Sequence, residues 1–165
     1  HEDVAALLRQ GGVVIAFRHA MAPGTFDPPG FKPGECSTQR NLSEEGRAQA
    51  RRIGAWFKTQ ALVPAQVRSS PWCRCMDTAT LAFGTAAAWP ALGSPRGASE
   101  STNAESLGAL RSALAAVPAG RFEVWVTHMF VLSDFAATNT SSGEGLVLRV
   151  AGGGAPQVLA RLSIA

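Results

Sequence analysis

The chain alternates between short runs of apolar residues and longer stretches in which apolar residues recur on one helical face. The runs at residues 13–17, 65–68 and 122–127 predict buried strands, and residues 145–150 and 157–164 predict two closing strands. The amphipathic stretches predict helices at residues 2–10, 43–60, 71–83 and 104–117, and a short helix through Phe135. Strands that alternate with helices in this way are typical of α/β proteins. We therefore expect a three-layer α/β/α sandwich with a mostly parallel central sheet. A chain of 165 residues predicts one domain, residues 1–165.

The segment between the first strand and the next helix does not fit either periodicity. Residues 20–36 are rich in proline and glycine, which break both helices and strands. Long loops inside compact domains are usually functional, so this segment predicts a lid or a substrate collar. Phe26, Phe31 and the neighbouring Arg40 are candidates for contact with a leaving group, although ordinary loop packing accounts for them equally well.

Polar residues follow three of the predicted strands, at the point where each strand ends. Arg18 and His19 follow the first strand, Arg74 lies just past the second, and His128 follows the third. Because the carboxyl ends of parallel strands share one edge of a sheet, we expect these side chains to converge. Two arginines and two histidines, with no carboxylate among them, predict a pocket for a phosphate group and a nucleophile to attack it.

Composition supports an anion-binding enzyme without proving one. The net charge is +3, and of 15 basic residues only Lys32 and Lys58 are lysines. Arginine binds phosphate with a planar fork, although codon usage in a GC-rich genome explains the same bias. Basic residues are not clustered with aromatic ones, so we expect no nucleic-acid partner. No apolar stretch approaches the ~20 residues of a membrane span.

Other hydrolase classes lack their required residues. None of the three cysteines has an arginine six positions later, which excludes the thiolate phosphatase pattern, and no G-x-S-x-G elbow occurs. The chain holds only three histidines, His1, His19 and His128, and no grouped ligand set, so neither a metal nor a cofactor is expected.

The cysteines leave two interpretations open. A bridge from Cys36 to Cys73 or Cys75 would leave one free thiol, and it is the favoured interpretation if the protein is exported. The alternative is three buried free cysteines that act as small apolar residues. Because the chain begins at His1, an upstream signal peptide or a tag boundary is expected.

Four stretches together resemble the histidine phosphatase superfamily, the phosphoglycerate-mutase-like proteins. They are Phe-Arg-His-Ala at 17–20, Asn-Leu-Ser-Glu-Glu-Gly at 41–46, Ser-Ser-Pro-Trp-Cys-Arg-Cys-Met-Asp-Thr-Ala at 69–79, and Val-Thr-His at 126–128. They occur in the order found in that superfamily and span most of the fold. The resemblance implies the phosphoglycerate-mutase-like fold.

The resemblance also implies a phosphohistidine mechanism. His19 would attack phosphorus and carry the phosphoryl group, with its other ring nitrogen held by a backbone carbonyl. Arg18, Arg74 and His128 would form the phosphate cradle, with His128 protonated or donating to the transferred group. Water would then release inorganic phosphate.

The general acid is the least defined part of the predicted site. Many superfamily members carry a glutamate some distance after the second arginine, and Glu100 and Glu105 both lie near that spacing. Glu105 is the candidate, and Asp27 and Glu144 are alternatives. The chain also departs from the common pattern after each histidine, where Ala20 and Met129 stand.

The short chain favours a small phosphatase of the SixA or Ais type over a mutase. The expected substrate is a small phosphomonoester such as a sugar phosphate, and the expected localisation is export to the periplasm, with the cytoplasm as the alternative. Two other functions stay open: a non-catalytic protein on the same fold that binds or senses a phosphorylated ligand, and a mutase or phosphotransferase. The oligomeric state is not predicted.

Overall fold

The protein folds as a mixed six-stranded sheet with helices on both faces, as a computed structural model shows; it describes residues 3–95, 97 and 99–165. The helices are α1 (Val4–Gln10), α2 (Glu44–Thr59), α3 (Cys73–Phe83), α4 (Ala104–Ala115) and α5 (Met129–Ala136). The strands are β1 (Val13–Arg18), β2 (Gln66–Ser69), β3 (Ala87–Ala88), β4 (Phe122–Thr127), β5 (Gly145–Val150) and β6 (Pro156–Leu162). None of the helices described is long and apolar enough to cross a membrane.

The sheet has the order β3-β2-β4-β1-β5-β6, with β1 near its centre. Four strands (β3, β2, β4 and β1) run parallel. At the other edge β5 pairs antiparallel with β1, and β6 pairs antiparallel with β5. The register pairs Ile15 of β1 with Val124 of β4 and, on the other side, with Val147 of β5. The expectation of an α/β fold is confirmed. The sheet is mixed, because the pairings of β5 with β1 and of β6 with β5 are antiparallel.

Alternation along β1 divides the core into two apolar layers. Val13, Ile15 and Phe17 pack with residues of α1, α2 and α3 on one face of the sheet. Val14 and Ala16 pack on the other face with residues of α4 and α5. All five residues are buried because both faces of a central parallel strand are covered by helices. The three layers of the predicted sandwich follow from this arrangement.

Local signals set the ends of the helices next to the site. The Ser43 side chain accepts a hydrogen bond from the backbone of Gly46 and caps α2, as the sequence predicts. α2 approaches the long loop closely, since a Cβ at Gly46 would lie 2.0 Å from a backbone oxygen. α3 differs from expectation: Pro71 is not its first residue. The helix begins at Cys73 with Trp72 as its N-cap, because residues 70–72 turn the chain away from β2 first.

Candidate active site

The site lies at the carboxyl edge of the three adjacent parallel strands β2, β4 and β1. Arg18 ends β1 and is followed by His19, while His128 directly follows β4. Arg74 sits in the first turn of α3, which follows β2. The two imidazole rings are both 2% exposed, and their centroids are 5.8 Å apart. The strand ends therefore bring the four predicted residues into one place.

A cavity of about 190 Å³ opens beside the two histidines. Its walls combine cationic, imidazole and aromatic side chains with one carboxylate: Arg18, His19, Gly24, Thr25, Arg40, Glu100, His128, Met129 and Phe130. A site of this size and charge suits a small anion. Within the described residues, no group of three or more His, Cys, Asp or Glu side chains is arranged to hold a metal ion.

His19 is held as a neutral imidazole in a defined tautomer. Its Nδ1 lies 2.7 Å from the carbonyl oxygen of Ala20, and a carbonyl can only accept, so Nδ1 carries the proton. The opposite nitrogen, Nε2, is therefore unprotonated. Burial, followed by the charges of nearby arginines, lowers the pKa of His19 to about 3 despite the favourable carbonyl contact. At neutral pH His19 thus has the lone pair that a nucleophile needs.

His128 is also neutral, with both ring nitrogens engaged. Arg74 Nη2, which can only donate, lies 3.4 Å from Nδ1, and Nε2 lies 2.8 Å from Ser70 Oγ. Nδ1 therefore accepts and Nε2–H donates to the Ser70 hydroxyl. Burial, with a smaller contribution from nearby arginines and His19, lowers the pKa of His128 well below its ordinary value. Of the two forms considered from sequence, protonated or donating, the lowered pKa disfavours the protonated one.

Arg18 and Arg74 are anchored in the same manner. Arg18 Nη1 donates to the carbonyl of Thr140 at 2.8 Å, and Arg74 Nη1 donates to Asp27 Oδ1 at 2.9 Å. In both residues Nε is buried without a hydrogen-bond partner among the described residues. Buried polar groups are nearly always satisfied, so the unpaired Nε of Arg18, a residue of the cavity wall, is a candidate donor to an oxyanion.

Arg74 is enclosed by carboxylates that the motifs did not contain. Its side chain and that of Asp27 are each only 1% exposed, so their ion pair is shielded from water. Glu100 Oε1 lies 3.5 Å from Arg74 Nη2 at the cavity wall. Arg74 is not among the residues that form the cavity surface; it lies directly behind His128 and Glu100.

The other predicted acids are placed elsewhere. Glu105 is exposed in the first turn of α4 and borders a different cavity beside Trp72 and Trp89, so it does not reach the site, and its assignment as general acid is corrected. Glu144 forms an ion pair with Arg161 at 2.7 Å. That hydrogen bond is the main cause of the lowered pKa of Glu144. Glu100 is the carboxylate that lines the cavity.

The cysteine ambiguity is resolved by a disulfide between Cys36 and Cys73. The bridge joins the end of the long loop to the residue before Arg74. Cys75 remains a free thiol, buried beside His128 at 3.6 Å from its Nε2, and burial raises the pKa of Cys75 to about 12. Cys75 therefore behaves as a small core residue and not as a reactive thiol.

Comparison with known proteins confirms the resemblance seen in the motifs. The sequence model of the histidine phosphatase superfamily (branch 1) matches residues 34–92. That range includes the motif that begins α2 and the one that carries Arg74, while Arg18, His19 and His128 lie outside it. No curated protein sequence matches the chain significantly.

Solved structures share the fold over nearly the whole chain. The protein histidine phosphatase SixA complexed with tungstate is 16% identical, with a TM-score of 0.64 over 92% of this chain and 96% of that one. A phosphoglycerate mutase from Thermus thermophilus is 20% identical, with a TM-score of 0.63 over 93% and 99%. A phosphoserine phosphatase mutant from Entamoeba histolytica in complex with phosphoserine is 14% identical, with a TM-score of 0.62 over 92% and 96%. At these identities the likeness establishes the phosphoglycerate-mutase-like fold.

Proposed function

We propose that the protein is a phosphomonoester hydrolase that works through a covalent phosphohistidine on His19, with residues 1–165 acting as one domain. The observation that carries the proposal is the state of His19. It is a buried, neutral imidazole whose Nδ1 is fixed by the Ala20 carbonyl and whose Nε2 is left unprotonated beside an arginine-lined cavity. The superfamily match and the phosphatases among the structures of the same fold support phosphatase activity.

In the first step, Nε2 of His19 attacks phosphorus and the bond from phosphorus to the leaving oxygen breaks. The imidazole gains positive charge as the new N–P bond forms, and the Ala20 carbonyl oxygen at 2.7 Å from Nδ1 stabilises that charge. Arg18 and Arg74 take the negative charge on the phosphoryl oxygens with their unpaired Nε groups. The ring centroid of His128 lies 5.8 Å from that of His19, and His128 turns its Nε2–H from Ser70 to the transferred group.

Glu100 supplies the proton in this proposal. It lines the cavity, whereas Glu105 does not. The Glu100 carboxyl group transfers a proton to the leaving oxygen as the bond to phosphorus breaks, and it then takes a proton from the water that attacks phosphohistidine. The N–P bond breaks, inorganic phosphate leaves, and His19 returns to its neutral form.

The substrate proposed is a small phosphomonoester such as a sugar phosphate, because a cavity of about 190 Å³ leaves little room beyond the phosphoryl group and a short leaving group. We also propose export, with which the Cys36–Cys73 disulfide is compatible, since such bridges persist in oxidising compartments.

The deciding experiment measures release of inorganic phosphate from para-nitrophenyl phosphate and a panel of sugar phosphates. The wild type should turn over and His19→Ala should not, while both bind inorganic phosphate because the arginines remain. Rapidly quenched wild type should carry phosphate that is stable in alkali and lost in acid. Arg47→Gln, at a half-buried position of α2 outside the cavity wall, is the matched control for a general effect of substitution.

Three results would redirect the proposal. Turnover retained in His19→Ala would remove the phosphohistidine. Phosphate binding without turnover on any substrate would favour a protein that binds a phosphorylated ligand without catalysis. Transfer of phosphate to an added alcohol in preference to water would indicate a phosphotransferase or mutase.

A further inference from the structure

Arg40, which precedes α2, lies in the wall of the same cavity as Arg18 and His19. We propose that Arg40 is a third phosphate-binding arginine. It follows the long loop, and hydrogen bonds through Asp27 hold its backbone at a fixed position relative to Arg74. This inference rests on the proposed function, and it adds a residue that lies outside the strand ends from which the site was predicted.

The first argument is the anchoring of the guanidinium. Arg40 Nη1 donates to the carbonyls of Ala22 at 2.7 Å and Gly24 at 3.2 Å. Its Nε is buried and finds no partner in the part of the chain that the structure describes. Arg18 and Arg74 show the same combination of an anchored Nη1 and an orphaned Nε. Nε and Nη2 together form the edge that binds an oxyanion in bidentate fashion, and in Arg40 no hydrogen bond within the described residues occupies that edge.

The second argument is electrostatic. Arg40 is close enough to His19 and His128 to contribute to the lowering of both pKa values. The pKa of Arg40 itself is lowered, first by burial and then by the charge of Arg74, although Glu100 and Asp27 act in the opposite sense. Like charges held together in a partly buried wall repel one another, and a bound phosphate dianion is the species that relieves this repulsion.

The third argument is the way in which the backbone of Arg40 is attached. Its backbone N–H donates to Asp27 Oδ1 at 3.0 Å, and the same oxygen accepts from Arg74 Nη1. One residue earlier, the buried Gln39 accepts from the backbone of Cys73 at 3.0 Å. The Cys36–Cys73 disulfide closes the same junction. The segment 36–40 is therefore tied to the start of α3 at three points, one of which is the Asp27 bridge between Arg40 and Arg74. An ordinary surface arginine does not require such attachment.

The test compares Arg40→Gln, Arg40→Lys and the control Arg47→Gln. Affinity for inorganic phosphate is measured by isothermal titration calorimetry, and KM, kcat and competitive inhibition by phosphate are measured with para-nitrophenyl phosphate. Arg40→Gln removes a charge-assisted hydrogen bond to phosphate. It should therefore weaken phosphate binding and raise KM by about 10- to 100-fold, with a smaller change in kcat. Arg40→Lys keeps the charge but not the fork, so its affinity should be intermediate.

The outcomes separate this proposal from the one on which it rests. If the wild type turns over and Arg40→Gln binds phosphate like Arg47→Gln, Arg40 is not a phosphate ligand although the phosphatase proposal stands. If the wild type has no activity, calorimetry with inorganic phosphate still decides the role of Arg40. Should Arg40→Gln fail to fold, as judged by circular dichroism, Arg40→Lys decides: affinity equal to wild type would overturn the proposal.

Discussion

Removal of the Cys36–Cys73 disulfide should cost a large part of the stability of the protein. The two cysteines are separated by 37 positions. The entropy lost by the unfolded chain when a loop of that length is closed corresponds to about 4 kcal/mol at 25 °C. Typical domains are stable by only about 5–15 kcal/mol, so the Cys36→Ser/Cys73→Ser double variant is expected to unfold at a much lower urea concentration.

The assay is equilibrium unfolding in urea, followed by tryptophan fluorescence, for the wild type with and without reductant, the double variant, and a Cys75→Ala control. The reduced wild type and the double variant should lose similar stability. Their dependence on urea should steepen, because an unlinked unfolded chain exposes more surface. In denaturant, thiol labelling should detect one cysteine before reduction and three after it. A midpoint unmoved by reductant, or moved as far by Cys75→Ala, would refute the reasoning.

Three further predictions concern the site and its support. The free energy of unfolding should fall as pH drops from about 6.5 towards 3, by ~1.4 kcal/mol per pH unit from His19 alone. The cause is the lowered pKa of His19, which keeps the folded form unprotonated while the unfolded chain takes up a proton. Urea unfolding at a series of pH values should show a shallower dependence of this free energy on pH in His19→Asn. Asp27→Asn leaves the buried Arg74 with only the more distant Glu100 carboxylate and should cost about 3 kcal/mol. Glu44→Gln, in an exposed pair, should cost much less, and equal losses in chemical denaturation would contradict the burial argument. Gly46→Ala should lower the melting temperature because its Cβ meets a backbone oxygen at 2.0 Å, while Gly108→Ala, a helical position whose nearest neighbour lies at 3.8 Å, should raise it.

The sequence was sufficient for the parts of the site that follow strands. A buried parallel strand has a strong apolar signature, and its carboxyl end lies at a known edge of the sheet. In this way Arg18, His19 and His128 were predicted to lie together, as they do, and Arg74 was predicted beside them from its position just past the second strand. The same reasoning predicted the strands that separate the two apolar layers of the core. It missed the two-residue strand β3, because exposed edge residues carry no apolar periodicity.

Loop residues could not be placed by that reasoning. Asp27, Arg40 and Glu100 reach the site through irregular segments, whose course depends on hydrogen bonds to distant backbone groups and on the disulfide. Spacing alone could not separate Glu100 from Glu105, since both follow Arg74 at a similar distance. A signal did exist for Arg40: it directly precedes a helix motif of the superfamily at the end of a loop already expected to be functional.

The position of β1 in the sheet has a consequence for the newly synthesised chain. β1 pairs with β4 and β5, so Val13 cannot pair until Phe122 has been made, and Val14 cannot pair with β5 until Leu148 has been made. While the chain is being made, β1, which leads into His19, has no partner strand until these late segments leave the ribosome. Both cysteines of the bridge and the competing thiol Cys75 emerge before then, when no sheet yet shields Cys75. We therefore expect oxidation during synthesis to yield mixed pairings, and correct pairing to depend on completion of the last strands.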